Sequence, residues 1–327
     1  MQKKPLLQVK NFMKPVADQT IADRSVTKRS ALTLLVLSAG YLLLSYVLVG
    51  FQYDQLVLTA TVNVLYFLSP SSRKLVVGFS VYIVYWVIFD YMKAFPNYWF
   101  STVRIESLYN AEKALFGIRS NGLLLTPNEF FLDYTHGVLD AASGVFYLTW
   151  VPLPLVFALF LFFTARRQFV YFSFTFLLVN LLGFTVYYLY PAAPPWYVQL
   201  HGFDFVSDTP GNAAGLARFD ALLGINVFSS IYAKSSNVFA AMPSLHSSYP
   251  ILVLFYGVKN RLGAVNIVFA VITAGIWFAA VYTSHHYVLD VLAGIACAVC
   301  GILIFNRAMD RKGVFYRAAT LFERAVQ

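Results

Sequence analysis

The chain has 327 residues, of which 59% are hydrophobic and 12% are charged. Because soluble domains carry about 25% charged residues, this composition excludes an ordinary soluble enzyme, and the 31 Phe and 22 Tyr exclude an intrinsically disordered chain. The formal net charge is +9, an excess that on a soluble protein would suit nucleic acid binding. The composition predicts an all-α, polytopic helical membrane protein.

The N-terminal segment 1–30 contains seven Lys and Arg and no long apolar run. A signal peptide places its apolar stretch directly after a short basic start, so we interpret 1–30 as a basic cytoplasmic extension. Eight apolar runs follow, at 31–51, 55–69, 75–92, 142–164, 168–190, 244–258, 264–284 and 287–306. A bilayer core of about 30 Å needs about 20 helical residues. The runs therefore predict about eight transmembrane helices in a domain at 31–306, followed by a basic cytoplasmic tail at 307–327.

Between the third and fourth runs, apolar residues recur at helical spacing among charged ones from Ile105 to Phe116. This pattern predicts a short amphipathic helix at the membrane surface. Such a helix could shape lipid access or could pack on the bundle as a connector, and the pattern leaves both roles open.

The distribution of cations along the chain predicts its orientation, because cytoplasmic segments of membrane proteins are enriched in Lys and Arg. With a cytoplasmic N-terminus and eight crossings, the inner segments hold 18 of the 24 cations and the outer segments hold six. Both termini are then cytoplasmic, and the charge excess requires no nucleic acid partner. All histidines fall in outer loops or at outer helix ends, which predicts a reactive extracytoplasmic face; they are His136, His201, His246, His285 and His286.

Two short motifs carry the candidate chemistry. His286 and Asp290 are four residues apart, so on a helix they share a face and the carboxylate can hold one ring nitrogen of the imidazole. His246 follows Pro243-Ser244-Leu245, and the chain crosses the membrane and returns before it reaches His286. Ser244 is a candidate helix N-cap, next to which free backbone N–H groups could bind a phosphate.

Two histidines at one site suit a double displacement on phosphorus, in which one imidazole attacks and the other gives and takes protons. The alternatives are a structural role in hydrogen bonding between helices and a metal site. Ionisable groups at membrane helices are usually functional, and the H-x-x-x-H spacing that puts two imidazole ligands on one helix face is missing. We therefore predict catalysis that needs neither a metal nor a cofactor.

These motifs resemble the second and third motifs of the type 2 phosphatidic acid phosphatase superfamily. Four ordered stretches are similar to fungal inositol phosphorylceramide synthases, and they lie at 190–197, 215–224, 241–247 and 282–294. The resemblance implies a six-helix phosphatase-like core and a motif-bearing region at about 142–306. It also implies an active site on the extracytoplasmic side, whether periplasmic or Golgi-lumenal.

The resemblance assigns roles to three residues. His286 would be the nucleophile that takes inositol phosphate from phosphatidylinositol, and Asp290 would orient it. His246 would protonate the departing diacylglycerol and then deprotonate the primary hydroxyl of ceramide. The expected partners are these two lipids and the membrane, whereas the acceptor, the donor headgroup, the compartment and the oligomeric state stay open.

The sequence departs from the wider superfamily where phosphate-binding cations are expected. Ala280 stands where the third motif carries an arginine, and the first motif, with its lysine and Arg-Pro, has no match. Phosphoryl transfer depends on neutralising the phosphoryl oxygens. The candidate replacements are Arg218, Lys234, His285 and backbone N–H groups near Ser244.

Four further residues are candidates for the substrate site. Trp196 and Tyr197 would line the lipid headgroup site or belong to an interfacial aromatic belt. Asp140 and Asp220 would bind inositol hydroxyls or pair with outer cations such as Arg218.

Two other functions compete with the transferase. A lipid phosphatase of the same superfamily would use the same three catalytic residues with water as the acceptor. A transporter or channel would place ionisable groups near the bilayer midplane, whereas here they cluster at outer helix ends.

Overall fold

The computed structural model describes residues 26–234 and 237–327. Residues 1–25 of the predicted basic extension 1–30 thus lie outside the described residues. Residues 28–30 belong to the first helix. The described chain is almost entirely helical, with one antiparallel hairpin of β1 (Ile118–Ser120) and β2 (Leu123–Leu125). Its α-helices are α1 (Lys28–Val49), α2 (Tyr53–Leu68), α3 (Pro70–Tyr91), α4 (Glu106–Phe116), α5 (Pro127–Asp133), α6 (Gly137–Leu148), α7 (Pro152–Thr164), α8 (Arg166–Leu189), α9 (Pro195–His201), α10 (Ala217–Leu223), α11 (Val227–Ala233), α12 (Leu245–Lys259), α13 (Val265–Tyr282), α14 (Val288–Asp310) and α15 (Val314–Val326).

All eight apolar runs form helices, and the polytopic all-α architecture is confirmed. Within the described ranges, five helices are long and apolar enough to cross a membrane, namely α1, α3, α8, α13 and α14, and the bent pair of α6 and α7 makes a sixth. The prediction of eight spans exceeds this number. The reason is that α2 has 16 residues and α12 has 15, fewer than the roughly 20 that a full span needs.

The fourth apolar run is divided into α6 and α7, which are inclined by 41°. Pro152 and Pro154 lie in the first turn of α7, where proline fits, whereas inside a continuous helix it would remove a hydrogen bond. The bend places Trp150 beside His246, with 4.4 Å between the ring centroids. The break in this span therefore contributes directly to the surroundings of a predicted catalytic residue.

Helix α8 lies at the centre of the bundle, where it packs against α3, α7, α12, α14 and α15. Its buried side chains are mostly large and aromatic, and they form one cluster with residues of α12 and α14; examples are Phe169, Phe172, Phe176, Tyr256 and Phe305. A smaller cluster joins α6, α10 and α13. These two cores fix the ends of the helices that carry the motifs.

The predicted amphipathic helix is present as α4, at Glu106–Phe116. It buries Leu108 and Glu112 and packs against α14, while α5 packs against α13. The segment between the third and fourth apolar runs thus packs on the bundle.

The predicted tail at 307–327 contains a helix that the sequence analysis did not anticipate. Helix α15 packs against α3 and α8 and buries Ala319 and Val326. Lys74 donates a hydrogen bond from Nζ to the backbone carbonyl of Gln327 at 2.6 Å. The end of the chain is therefore docked on the bundle.

Candidate active site

The structure brings the two motif histidines into direct contact. His246 is the second residue of α12, His286 lies just before α14, and Nδ1 of His246 is 3.0 Å from Nε2 of His286. His286 is 5% exposed, and His246 is partly exposed. Substrate can therefore approach the pair from the His246 side.

Local backbone geometry turns His286 inward at the end of α13. The backbone N–H groups of His285 and His286 both donate to the carbonyl of Ala280, at 3.1 and 2.9 Å. Ser284 has a φ of 60°, in the left-handed region, which a non-glycine residue adopts at some cost. This tight turn folds the chain back beside the helix it has just left.

Helices α12 and α14 approach closely where the two motifs meet. A side chain at Gly294 would collide with the carbonyl oxygen of Ser244, so only glycine permits this spacing. Ser248 donates from Oγ to the Gly294 carbonyl at 2.7 Å, and the Ser244 N–H donates to the Asp290 carbonyl at 2.9 Å. The N-terminus of α12 is thus held against the first turn of α14.

Asp290 lies behind His286, as the four-residue spacing predicts. It is fully buried, its Oδ2 accepts the Tyr287 N–H at 2.9 Å, and the same oxygen is 3.5 Å from Nδ1 of His286. Nδ1 of His286 makes no hydrogen bond among the described residues, and a proton on this atom would face Asp290 and leave the lone pair on Nε2, toward His246. Burial lowers the pKa of His286 to about 4, so the imidazole is neutral and able to act as a nucleophile.

His285 does not supply the positive charge considered for it. It is 5% exposed, and its Nε2 donates to the carbonyl of Ala213 at 2.9 Å, which requires a proton on Nε2. Its ring stacks on Tyr232 at 4.4 Å and on Tyr147 at 5.5 Å. Burial lowers its pKa to about 3, so His285 is a neutral residue that holds the motif in place.

Arg218 and Asp140 form an ion pair next to the motif. Nε of Arg218 donates to Oδ1 of Asp140 at 2.6 Å, and the hydroxyl of Tyr282 donates to the same oxygen at 2.9 Å. The guanidinium also lies over the Tyr282 ring, 5.1 Å from its centroid. Among the described residues, Nη2 of Arg218 is buried without a hydrogen-bond partner. Asp140 therefore orients Arg218 and leaves part of its guanidinium fork available.

The other two candidate phosphate-binding groups are engaged elsewhere. Lys234 pairs with Asp54 at 3.2 Å, with side chains that are 70% and 60% exposed. Ser244 is the N-cap of α12, as predicted, and its buried Oγ accepts from the N–H and the hydroxyl of Ser247. The structure brings Ser244 to the histidines and leaves Lys234 at the surface.

Three of the weaker candidates have structural partners. Both carboxylate oxygens of Asp220 accept hydrogen bonds from the start of α11, at Phe228 and Ser229. The hydroxyl of Tyr197 donates to the Asp204 carbonyl and accepts the Val206 N–H. Trp196 is 5% exposed, in a small apolar cluster. These side chains are buried in the folded loop, so Trp196 and Tyr197 do not form an exposed aromatic belt.

Glu112 was missed by the sequence analysis as a site residue. It is fully buried, and its two carboxylate oxygens accept the N–H groups of Val288 and Leu289 at 2.9 and 3.0 Å. It thus caps α14 from a helix more than 170 residues earlier in the chain. Burial raises its pKa, and the two backbone hydrogen bonds oppose that shift. An acidic residue on an apolar face of α4 was the available signal.

Asn128 is a second missed residue. Its Nδ2 donates to the carbonyls of His286 and Val281, at 2.9 and 2.8 Å, and the side chain lies at the start of α5. It therefore ties the last turn of α13 to the backbone of His286. Nothing in the local sequence marks it, because its function depends on residues more than 150 positions away.

No group of three or more His, Cys, Asp or Glu is placed to hold a metal ion within the ranges 26–234 and 237–327. The two cysteines, Cys297 and Cys300, are free thiols on α14. The chemistry of this arrangement is that of a neutral imidazole nucleophile with a carboxylate behind it and a second imidazole in front.

Residues 124–304, from the second strand of the hairpin to most of α14, match the PAP2 superfamily. The chain belongs to the PAP2 superfamily. It is 43% identical over 282 residues to the phosphoinositol dihydroceramide synthase of Bacteroides thetaiotaomicron, a match that covers 86% of this chain and 92% of the relative. The superfamily match contains both histidine motifs and the bend between α6 and α7.

Two fungal relatives also match this chain. The inositol phosphorylceramide synthase of Candida albicans is 32% identical over 222 residues, which cover 64% of this chain and 43% of the relative. The catalytic subunit of the Saccharomyces cerevisiae inositol phosphorylceramide synthase is 36% identical over 130 residues, 39% of this chain and 31% of the relative. No solved structure shows a significant match. The resemblance to inositol phosphorylceramide synthases inferred from the motifs is confirmed.

Proposed function

We propose that this integral membrane protein is a transferase that moves inositol phosphate from phosphatidylinositol to the primary hydroxyl of a ceramide. The proposal rests above all on the 3.0 Å contact between Nδ1 of His246 and Nε2 of His286, with Asp290 behind the second histidine. It is supported by relatives whose names specify inositol phosphorylceramide or phosphoinositol dihydroceramide synthesis. The Bacteroides relative favours a dihydroceramide as the acceptor.

The first step uses the lone pair on Nε2 of His286. This nitrogen attacks phosphorus, the bond from phosphorus to the diacylglycerol oxygen breaks, and a protonated His246 gives its proton to that oxygen. In the second step the ceramide hydroxyl attacks phosphorus, its proton returns to His246, and the bond between nitrogen and phosphorus breaks. Proton and charge balance over the cycle, and Asp290 stabilises the proton on Nδ1 of His286 throughout.

The two imidazoles must separate for this reaction. A contact of 3.0 Å leaves no room for a phosphoryl group between the two nitrogens, since the reacting atoms start about 3 to 3.5 Å apart and the proton donor needs its own hydrogen bond to the leaving oxygen. His246 is the more exposed of the two and contacts Trp150 at the break between α6 and α7. We expect His246 to move when lipid binds, while the buried His286 stays.

Arg218 is our candidate for the cation that the first and third superfamily motifs lack. His285 is neutral and Lys234 is paired at the surface, which leaves Arg218 among the side chains considered. Its Nε is fixed by Asp140, and its Nη2 has no partner among the described residues. A single guanidinium suits a phosphodiester monoanion better than a monoester dianion, which favours the transferase over the phosphatase.

The acceptor lipid approaches from the extracytoplasmic side in this proposal. When α2 and α12 are counted as crossings, the excess of Lys and Arg in the opposite loops supports that orientation. Transport is not favoured, because the buried histidines and Asp290 lie at helix ends on one side of the bundle.

The test is a reconstituted assay with phosphatidylinositol and a dihydroceramide, with both products followed by mass spectrometry. Wild type is expected to form inositol phosphoryldihydroceramide and diacylglycerol in equal amounts, and His286→Ala is expected to form neither. Release of inositol phosphate that is independent of the ceramide would identify a phosphatase instead.

A further inference from the structure

Two tyrosine hydroxyls beside the histidines are buried and have at most each other as partners. Tyr147 on α6 is fully buried, and the hydroxyl of Tyr232 on α11 lies within hydrogen-bonding reach of the Tyr147 hydroxyl. Neither hydroxyl has another hydrogen-bond partner among the described residues. Buried polar groups in folded proteins almost always have partners, and an orphaned donor is costly. The pair has two protons and can use only one of them internally, so at least one donor is left for a ligand.

The rings of these tyrosines are fixed against the histidine cluster. The Tyr147 ring packs on His246 at 5.1 Å with an interplanar angle of 30°, and on His285 at 5.5 Å with an angle of 24°. Tyr232 also stacks on His285, with 4.4 Å between the two ring centroids. The hydroxyls of Tyr147 and Tyr232 are also close enough to interact electrostatically with each other. Both phenols therefore belong to one wall next to the histidine that must move.

We infer that the hydroxyls of Tyr147 and Tyr232 donate hydrogen bonds to the phosphoryl oxygens of the lipid donor while phosphorus lies between His246 and His286. The inference rests on the proposed function, since it assigns a phosphoryl-binding wall to that same site. The two hydroxyls would be catalytic hydrogen-bond donors on α6 and α11, outside both histidine motifs.

Neutral donors fit the charge of the proposed substrate. A phosphodiester carries one negative charge, and a hydrogen bond from a neutral group to an anion is strong in a buried site. Two phenols stabilise the oxygens without adding the cations that would favour a dianionic monoester. The pair would thus act together with Arg218 where the superfamily's usual arginine is replaced by Ala280.

The packing of the two rings gives the donors a defined direction. Tyr147 lies in the buried cluster with Phe219 and Phe228, so its side chain cannot swing away when the ligand leaves. Preorganised donors of this kind cost no rearrangement during the reaction, and loss of one commonly lowers kcat by about 100-fold or more.

The experiment uses Tyr147→Phe in the full-length, detergent-purified protein, with inorganic vanadate as a phosphoryl analogue and with the lipid transfer assay in parallel. The variant keeps the ring and removes the oxygen. We expect kcat to fall by about 100-fold, with the KM for ceramide unchanged, and the vanadate concentration for half-maximal thermal stabilisation to rise at least tenfold.

The matched control is Tyr256→Phe, on the same helix as His246. The Tyr256 hydroxyl is also buried, but it is paired with Thr175, which keeps a second hydrogen bond to the Tyr171 carbonyl. This control is expected to keep wild-type turnover and vanadate binding. Tyr232→Phe serves as the second test variant, and it carries the test if Tyr147→Phe fails to fold.

The outcomes separate this inference from the proposed function. Wild-type kcat and wild-type vanadate binding in a folded Tyr147→Phe or Tyr232→Phe protein would overturn the inference while leaving the transferase intact. Weakened vanadate binding in these variants, together with a wild type that transfers no inositol phosphate to ceramide, would support the phosphoryl wall and overturn the transferase.

Discussion

Nδ1 of His246 lies 3.0 Å from Nε2 of His286, and each nitrogen is the reactive atom of its residue in the proposed cycle. In the resting site, the proposed proton donor and the proposed nucleophile thus form a hydrogen-bonded pair. Because Asp290 faces Nδ1 of His286, the two histidines are not equivalent. One is fixed from behind, and the other is partly exposed and packed against the bend between α6 and α7.

This asymmetry predicts different responses to the leaving group. His246→Ala is expected to slow transfer from phosphatidylinositol by about 100- to 10,000-fold, because the departing alkoxide needs a proton. With a nitrophenyl ester of inositol phosphate as the donor, the leaving group needs no proton, so the burst of nitrophenol from this variant is expected to approach that of wild type. His286→Ala should lose the burst with both donors. Equal losses for both donors in His246→Ala would contradict its role as the acid.

Glu112→Gln tests whether the outer helix α4 positions the nucleophile. An amide offers one acceptor oxygen, so one of the N–H groups of Val288 and Leu289 loses its partner. We expect a loss of about 1 to 3 kcal/mol in the free energy of unfolding and a fall in kcat of at least about tenfold, as a misplaced catalytic group produces. Thermal unfolding and steady-state kinetics measure the two effects.

The control for this prediction is Glu106→Gln, an exposed residue on the same helix. It should leave both quantities unchanged. The pH profile of kcat provides a readout that lost stability alone would not move. Removal of the negative charge near His286 is expected to lower the pKa of His286 and so to shift the acid limb of the pH profile to lower pH. An unshifted acid limb would argue that Glu112 is purely structural.

Arg218→Gln tests the proposed replacement of the missing cation. Asp140 keeps its hydrogen bond from Tyr282 in this variant, so the fold around α6 should survive. We expect kcat/KM to fall by about 100-fold, as it does when one stabilising donor is removed from a reacting oxyanion. Lys234→Gln is the matched loss of a positive charge at the surface and should have no effect. Similar activities of the two variants would eliminate Arg218 as the phosphate-binding group.

The buried histidines predict how stability depends on pH. The pKa values of His285 and His286 fall from 6.5 to about 3 and about 4 because burial disfavours their charged forms. The unfolded chain therefore binds protons below pH 6.5 that the folded protein does not. The stability that these groups contribute is complete above pH 6.5 and is lost as the pH falls toward 4 and then 3.

This loss has a measurable slope. Each such histidine contributes at most about 1.4 kcal/mol per pH unit between its two pKa values. In His285→Gln, whose amide can still donate to the Ala213 carbonyl, we expect the melting temperature to fall less steeply between pH 6.5 and 4 than in wild type. An identical slope would mean that His285 binds the same number of protons in the folded and the unfolded chain over this range.

Much of the fold follows from the apolar runs alone. Each run is helical because a chain in hydrocarbon must satisfy its backbone hydrogen bonds internally. The break at 149–151 was not predicted, although Pro152 and Pro154 mark it in hindsight. The short length of α12 follows from its cap at Ser244, which the sequence analysis did identify. Helix α15 was missed because the segment 307–327 was interpreted as a basic tail from its charge, and its helical periodicity was not considered.

The three residues that we propose as catalytic were chosen from the sequence alone, because their motifs depend on local spacing. The prediction from spacing assumes a helix that contains both His286 and Asp290, whereas α14 begins at Val288, so Asp290 reaches His286 from the first turn of that helix. The binding groups depend on distant contacts, and several of the candidates chosen by charge or aromaticity are used differently. Asp220 caps α11, Tyr197 closes the loop that follows it, and Lys234 pairs with Asp54.

The sequence by itself determined the class of protein, the helical segments and the identity of the histidine motifs, because hydropathy and residue spacing act over a few turns of one helix. Only the tertiary structure decided which groups surround those histidines. Glu112 and Asn128 reach the motif from α4 and α5, and the rings of Tyr147 and Tyr232 pack beside it. Contacts of this kind join residues more than 90 positions apart, so they arise only when the bundle packs and excludes water from the site.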